Sequence, residues 1–185
     1  WTNKETVGWN RTSRPIEITV DLGEMKPISG FSFHTAAGRA DVNWPSIINV
    51  LVSEDGRTFY LAAEMVNAAR PPETYSVYNY TVRDIKTKGR YVRFQCVPNG
   101  RYFFCDEIEV LSGPSENLNI KFSTLSAVSE KHLMTSCIRK RMLNDIFSIR
   151  KELEISKISA ALKEEISGRL DSFEKKAMSY DFNGG

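Results

Sequence analysis

The sequence predicts an all-β antiparallel sandwich followed by a pair of α-helices, and two observations carry this prediction. From Pro15 to Leu111, short runs of alternating apolar and polar residues are separated by Gly, Pro, Asn or Asp, with no helical pattern between them. After the segment "SGPSE" the period changes, and apolar residues recur at helical spacing as far as Ala177. We therefore expect a β-sandwich over residues 1–113 and a helical segment over residues 114–185.

The strands can be read in order along the chain. In "PIEITVDLG", Ile16, Ile18 and Val20 face inward and Gly23 ends the strand. The segments "ISGFSFHT" and "SIINVLVS" repeat the pattern, and "SEDGRTFYLAAE" adds an Asp-Gly turn followed by another strand. With "YSVYNYTVRDI" and "GRYVRFQCV", this gives about seven strands separated by turns.

The segment "RYVRFQCVPNGRYFFCDEIEV" predicts a hairpin that closes the sandwich. Asn99 and Gly100 are the residue types of a type I′ turn, which needs positive φ at both central positions. In that register Cys96 and Cys105 are diagonal neighbours with Cα atoms about 7–8 Å apart. This separation is too large for an unstrained disulfide, so both thiols are expected to pack as small apolar groups.

The helical segment predicts two long amphipathic helices. The apolar stripe loses register between Leu153 and Ile158, which indicates a turn near Ser156 with Ser156 or Ser159 as the N-cap. One long helix with a stutter is the alternative. Because the stripe is narrow and flanked by charges, it must pack against the other helix, the sandwich or another segment.

The composition excludes several classes of function. There are 25 Lys and Arg residues against 23 Asp and Glu, so bulk charge gives no indication of a nucleic-acid partner. The sequence has neither an apolar run long enough to cross a bilayer nor a signal-peptide pattern at Trp1. Because the chain opens on "WTNKETVGWN" without Met, we expect it to be a piece of a longer protein.

No arrangement of residues indicates catalysis or zinc. Glu64 and Glu73 show no spacing that would pair them, and neither histidine lies in a GxSxG or Cys-His context. Cys105 is a poor nucleophile because the adjacent Asp106 raises the pKa of its thiol. Three cysteines without a CxxC spacing also argue against zinc.

Three segments carry a resemblance to a known family: "ITVDLG", then "VSEDG" followed by an aromatic residue, then "RYVRF" running into "EIEV". In order and spacing, residues 1–111 resemble the discoidin or coagulation factor type C domains, including the carbohydrate-binding modules of bacterial glycoside hydrolases. The resemblance implies a jelly-roll-like, galactose-binding-like sandwich whose ligand binds at loops on one end. It further implies a non-catalytic glycan-binding module, joined to adjacent domains of a larger glycan-processing or surface protein that is extracellular, periplasmic or at the cell surface.

The resemblance also implies a ligand site. In sugar-binding members, an Arg and an Asn of the loop before the "VSxDG" strand bind sugar hydroxyls, and an aromatic residue of the last hairpin stacks on the sugar ring. Arg39, Asn43 and Tyr102 hold these places. This set suits a pyranose, which presents hydroxyls to polar groups and a C–H face to an aromatic ring. The gap from Arg39 to Asn43 is slightly shorter than in the family, and the His that accompanies them there has no counterpart in the earlier loop.

Three further residues lie near this loop, and each has a structural alternative. Trp44 either stacks on a ligand or plugs the end of the sandwich. His34 either lines the rim or is a strand histidine satisfied by the backbone. Trp9 either belongs to an aromatic wall, together with Trp1, or packs a sheet edge. Arg39 itself has the alternative of an exposed ion pair with Asp41.

Many sugar-binding members hold a structural calcium, and Glu107 in "DEIEV" occupies the place of a calcium ligand. Calcium takes six to eight oxygens, so Glu107 would need backbone carbonyls and an upstream Asp beside it. Asp106 and Glu107 alternate along the strand and point to opposite faces.

The sequence leaves two other functions open. A structural spacer or protein-interaction module would use the helices for interdomain packing or oligomerisation. Adhesion to protein or phospholipid, as in animal relatives of the fold, would need exposed apolar loop tips, which the segment "AARPPET" lacks.

Overall fold

The structure is a computed structural model that describes residues 5–10, 15–65, 72, 74–122 and 130–179. It divides into two compact units, Trp1–Val128 and Ser129–Gly185. The first unit is an antiparallel β-sandwich and the second is a pair of α-helices, which confirms the predicted fold class.

In the described residues the sandwich has eight strands: β1 (Val7–Asn10), β2 (Ile16–Ala37), β3 (Ile47–Ser53), β4 (Tyr60–Met65), β5 (Ser76–Val82), β6 (Thr87–Val97), β7 (Tyr102–Cys105) and β8 (Glu107–Ser112). One sheet has the order β4-β3-β6-β2-β5, and β8 also pairs with β2. Among the described residues, β1 and β7 form the other, two-stranded sheet. All of these strand pairs are antiparallel.

The strand β2 is longer than predicted. We expected it to end at Gly23, but it runs for 22 residues and pairs with β6 on both sides of an irregularity between Asp21 and Lys26. Gly23 has φ 82°, and its N–H donates to the Asp21 carboxylate at 2.8 Å. The glycine therefore bends the strand at a bulge, where a residue with positive φ is needed, and does not terminate it.

The predicted hairpin between β6 and β7 is wrong. A strand has only two edges, and both edges of β6 are occupied: Cys96 lies opposite Ile16 of β2 and opposite Ile48 of β3. Strand β7 therefore pairs with β1 in the other sheet. The connection is not a type I′ turn either, because neither Asn99 nor Gly100 has positive φ.

The core lies between the two sheets and is centred on aromatic rings. Phe33 of β2 stacks on Phe103 of β7 with ring centroids 5.9 Å apart, and it lies 5.8 Å from Phe94 of β6. All three side chains are almost completely buried. Removing one such ring typically costs about 3–5 kcal/mol, so this cluster holds the small sheet against the large one.

The turn between β3 and β4 follows the prediction. Gly56 has φ 71°, and the Asp55 carboxylate accepts hydrogen bonds from the N–H groups of Thr58 and Arg57, both at 2.8 Å. These donors stabilise the charged form and lower the pKa of Asp55 to about 2.

The segment after β8 packs on the sandwich. A 3-10 turn spans Ser115–Asn119, and the buried Asn117 side chain donates to the carbonyl of Ile28 at 2.8 Å. The first compact unit thus includes residues beyond 113, where the change of period placed the predicted domain boundary.

The second unit contains α1 (Glu130–Ile155) and α2 (Ala160–Ser179). The Ser159 hydroxyl accepts from the N–H of Leu162 at 3.4 Å and caps α2, while the Ser156 hydroxyl donates to the carbonyl of Leu153 at 2.7 Å and closes α1. The prediction of two helices with a turn near Ser156 is confirmed, and the single-helix alternative is wrong.

Opposite charges and an apolar seam join the two helices. The Arg150 guanidinium contacts the carboxylates of Asp171 and Glu174, each at 2.7 Å. Ile146 and Leu170 of the predicted stripe are buried. The apolar stripe is therefore buried in part where the two helices pack against each other within this unit.

Candidate functional site

The loop that connects β2 to β3 has an unusual backbone. Gly38 has φ 107°, and Ala40 and Asp41 have φ 53° and 58°. The loop is closed by hydrogen bonds from the N–H of Gly38 to the carbonyl of Val42 and from the N–H of Val42 to the carbonyl of Arg39. Two consecutive non-glycine residues in the left-handed region are costly, and such strain persists only where surrounding contacts impose it.

Asp41 supplies those contacts. Its carbonyl accepts from the N–H of Arg101 at 3.0 Å and from the N–H of Tyr102 at 3.4 Å. Its carboxylate accepts from the same Arg101 N–H at 2.9 Å and from the Asn43 amide at 3.4 Å. Val42 and Tyr102 also form an isolated parallel bridge. Asp41 therefore joins the β2–β3 loop to the β6–β7 connection.

Gly100 allows this close approach. A Cβ atom at Gly100 would lie 2.5 Å from the Asp41 carbonyl oxygen and 3.1 Å from the Asn43 side-chain nitrogen. Glycine is needed here because two backbones meet, and not because of a positive φ.

These contacts bring the segments that carry Arg39, Asn43 and Tyr102 to one end of the sandwich. Arg39 is exposed, and among the described residues its side chain forms no ion pair with Asp41. Tyr102 is half-buried, with the Arg101 guanidinium 5.4 Å from its ring centroid. Asp41 thus links Asn43 to the backbone of Tyr102, and Arg39 lies on the same loop. The role of these three side chains in binding stays a prediction.

The two tryptophans of the predicted site are packed into the fold. Trp44 is only 6 % exposed, and its ring lies 5.8 Å from that of Tyr78. Trp9 lies opposite Phe103 in the small sheet, with ring centroids 5.8 Å apart, and packs against the core. Both positions favour the structural alternatives, a plug and an edge contact. Trp1 lies outside the described residues.

His34 lies on the outer face of the large sheet. Its Nδ1 is 2.7 Å from a carboxylate oxygen of Asp106, and both side chains are partly exposed. Its strand neighbours are Asn79 and Glu107. The side-chain partner of His34 is therefore a carboxylate. The structural alternative predicted a hydrogen bond to the backbone instead.

Glu107 begins β8 and is exposed. Within the described ranges, no three His, Cys, Asp or Glu side chains lie together so that they could hold a metal ion. Asp106, the nearest carboxylate in the chain, is bonded to His34. Calcium takes six to eight oxygens, and the ion predicted at Glu107 stays a prediction.

The two cysteines of the sandwich are free and buried, as predicted, although the hairpin register behind that prediction was wrong. Burial, followed by the negative charge of Asp106, raises the pKa of the Cys105 thiol to about 12. Burial also raises the pKa of Cys96 well above its usual value. Neither thiol is a nucleophile at neutral pH.

The family model described as the F5/8 type C domain matches residues 2–108. The chain belongs to the F5/8 type C domain family. No curated protein sequence matches the chain.

Solved structures similar to this F5/8 type C domain include the module CpGH89CBM32-5 from Clostridium perfringens in complex with GalNAc-β-1,3-galactose. It is 23% identical, covering 60% of this chain and 79% of that chain with a TM-score of 0.43. Chitosan-binding module 1 from a chitosanase/glucanase of Paenibacillus sp. IK-5 is 16% identical, covering 58% and 75% with a TM-score of 0.44. A Streptococcus pneumoniae fucose binding module is 16% identical, covering 58% and 70% with a TM-score of 0.37. With TM-scores below 0.5, these likenesses transfer neither a ligand nor a site to this chain.

The F5/8 type C domain is a non-catalytic module, in agreement with the absence of a catalytic pattern in the sequence. Among the described residues, no helix has the length and apolar character required to cross a bilayer. The loop segment considered for adhesion, residues 68–74, lies mostly outside the described residues.

Sequence reasoning missed Asp41 and Arg101. The sequence pattern indicated Asp41 only as an ion-pair partner of Arg39, and it gave Arg101 no functional role. The available signal was the residue type, because Asp and Asn enter the left-handed region more readily than other non-glycine residues. The N–H of Arg101 that bonds to Asp41 lies 60 residues away, so this contact could not be read from the sequence.

Proposed function

We propose that this F5/8 type C domain binds carbohydrate at the end of the sandwich formed by the β2–β3 loop and the β6–β7 connection. One observation carries the proposal: Asp41 bonds to both Asn43 and the backbone of Tyr102, which holds an amide and an aromatic ring at one place. Exposed Arg39 adds a forked donor on the same loop. Hydroxyl-binding groups beside an aromatic face are the chemistry that recognises a sugar ring.

In this proposal the chain is an accessory module of a larger glycan-processing or surface protein, located outside the cell, in the periplasm or at the cell surface. Single-site affinity is expected to be weak, about millimolar or near −4 kcal/mol, because such modules act by avidity.

The test is a glycan array followed by calorimetric titration with galactose, glucosamine and galacturonic acid. Arg39→Ala and Tyr102→Ala should each weaken binding by about tenfold. Arg39→Ala removes a charge-assisted hydrogen bond and Tyr102→Ala removes a stacking ring, and each interaction is worth about 1–2 kcal/mol. Arg57→Ala is the matched control, because this exposed arginine lies in the turn at the opposite end of β3. Absence of binding to every sugar, or equal binding by Arg39→Ala, Tyr102→Ala and Arg57→Ala, would refute the proposal.

A second function, protein interaction through the helical pair, is favoured by one observation. Phe147, Ile149, Leu162 and Phe173 of the helices are each between 42% and 46% exposed. Such side chains would gain from a partner surface. If the helices mediate self-association, sedimentation should show a dimer that is lost in a Leu162→Lys, Ile166→Lys variant. A monomer at all concentrations would exclude self-association.

A further inference from the structure

The strand β7 presents a second surface beyond the Tyr102 end. Phe103 and Cys105 face the core and are 1% and 6% exposed. Because side chains alternate along a strand, Tyr102 and Phe104 share the opposite, outward face. Their partners on β1 are Asn10 and Gly8. The small sheet therefore carries two aromatic rings in a row on its outer side.

Gly8 makes room for the second ring. A Cβ atom at Gly8 would lie 2.5 Å and 2.7 Å from two carbon atoms of the Phe104 ring. The ring thus lies across β1 at the glycine. A bulkier residue at position 8 would displace it.

Phe104 also lines a small polar cavity of about 110 Å³. The other residues that line it are Thr6, Thr35, Ala36, Tyr75, Cys105 and Asp106. At roughly 30 Å³ per molecule, the cavity has room for about three to four waters, which is enough for sugar hydroxyls but not for a whole ring.

The lining of the cavity has the chemistry that a sugar residue needs. The Asp106 carboxylate is an acceptor whose position is fixed by His34, 2.7 Å away, and the Thr35 hydroxyl donates to the Phe104 carbonyl at 2.6 Å. The Tyr75 side chain is 52% exposed and forms an aromatic wall at the rim. Hydroxyl groups could thus enter the cavity while the ring rests against an aromatic face.

The spacing along β7 separates this surface from the Tyr102 end. From Tyr102 to Cys105 the strand advances about 10 Å, at about 3.3 Å per residue. One sugar ring cannot contact both Tyr102 and Asp106 across such a distance. A ligand that uses both must be a chain of sugar residues.

We propose that the cavity lined by Thr6, Tyr75 and Asp106 is a second sugar-binding subsite, and that the ligand is an oligosaccharide running along the outer face of β7. The proposal rests on the proposed function of the Tyr102 end, and it adds the class of ligand. Its consequence is an affinity that rises with the length of the sugar chain, because each occupied subsite adds contacts without a second loss of overall freedom.

The test measures dissociation constants by calorimetry for the 185-residue chain with galactose, glucosamine and galacturonic acid and with their di- to tetrasaccharides. For the sugar that binds, we expect the constant to fall by about tenfold from monosaccharide to trisaccharide, corresponding to about 1.4 kcal/mol. Tyr75→Ala and Asp106→Asn should each remove most of this gain and leave the monosaccharide constant unchanged. Asp106→Asn preserves side-chain volume and guards against a folding defect in Tyr75→Ala.

Leu118→Ala is the control, because this exposed side chain lies in the 3-10 turn whose Asn117 packs at Ile28, about 23 Å along β2 from Thr35. Leu118→Ala should keep the full gain in affinity with increasing length of the sugar chain. A wild-type affinity that does not depend on length, or a gain that survives in Tyr75→Ala, would overturn the second subsite while monosaccharide binding stays intact. If no sugar binds at all, the proposed function itself has failed.

Discussion

The backbone N–H of Arg101 donates to both the carbonyl and the carboxylate of Asp41, at 3.0 Å and 2.9 Å. This shared donor ties together two connections that are 60 residues apart in the chain. It also explains why Asp41 is held at φ 58°, a conformation that the free residue would seldom adopt.

Asp41→Ala should lower both the free energy of unfolding and sugar affinity. The substitution removes hydrogen bonds to a charged group and keeps the backbone strain, so we expect a loss of about 1 kcal/mol in urea denaturation. Ala40→Gly is the matched control, because it relieves the strain of φ 53° at the adjacent residue and retains the Asp41 carboxylate. It should be neutral or more stable and bind as wild type. Equal losses in both variants would mean that general loop geometry, and not the Asp41 carboxylate, positions the site.

Gly100→Ala should push the β2–β3 loop away from the β6–β7 connection by steric contact. The new Cβ would lie 2.5 Å from the Asp41 carbonyl oxygen, so the loop must move. We expect a cost of about 1–3 kcal/mol, measured by urea denaturation, together with weaker sugar binding. Gly168→Ala, at a helical position with open space around it, should instead stabilise the chain by about 0.5–1 kcal/mol. An unaffected Gly100→Ala protein would show that the close approach is not required.

The buried thiols should resist modification in the folded chain. The pKa of Cys105 is raised to about 12, and that of Cys96 is also well above its usual value, so the thiolate fraction is negligible at pH 8. A Cys137→Ser background isolates these two groups. A colorimetric thiol reagent should label them only after addition of denaturant. Rapid labelling of the native protein would contradict the burial of both side chains.

Asp55 should make stability depend on pH in a defined acidic window. Its pKa is lowered to about 2 by the N–H groups of Thr58 and Arg57, whereas an unfolded Asp has a pKa near 3.9. Because the folded pKa is the lower one, the stabilisation is fully present above about pH 4 and is lost as pH falls towards 2. Asp55→Asn should therefore melt with a smaller dependence on pH between 4 and 2. Parallel melting curves for both proteins across this window would exclude the contribution.

The segments that resemble the family predicted most residues of the candidate site, but they did not predict the contacts that bring these residues together. The residue types and loop positions of Arg39, Asn43 and Tyr102 are visible in the sequence. The burial of Trp44 and Trp9 and the pairing of His34 with Asp106 depend on neighbours far away in the chain. Hydrogen-bond partners of this kind leave no local pattern.

The sequence by itself determined the sandwich, the helical pair with its break near Ser156 and the Asp55 turn, because alternation, helical spacing and turn chemistry are local properties. Only the tertiary structure decided that β2 continues past Gly23 and that the β6–β7 segment is not a hairpin. The physical reason is competition for strand edges: β2 and β3 occupy both edges of β6, so β7 pairs with β1 and the turn residues bond to Asp41. Because β7 pairs with β1 and the turn residues bond to Asp41, the β2–β3 loop and the β6–β7 connection meet at the candidate site.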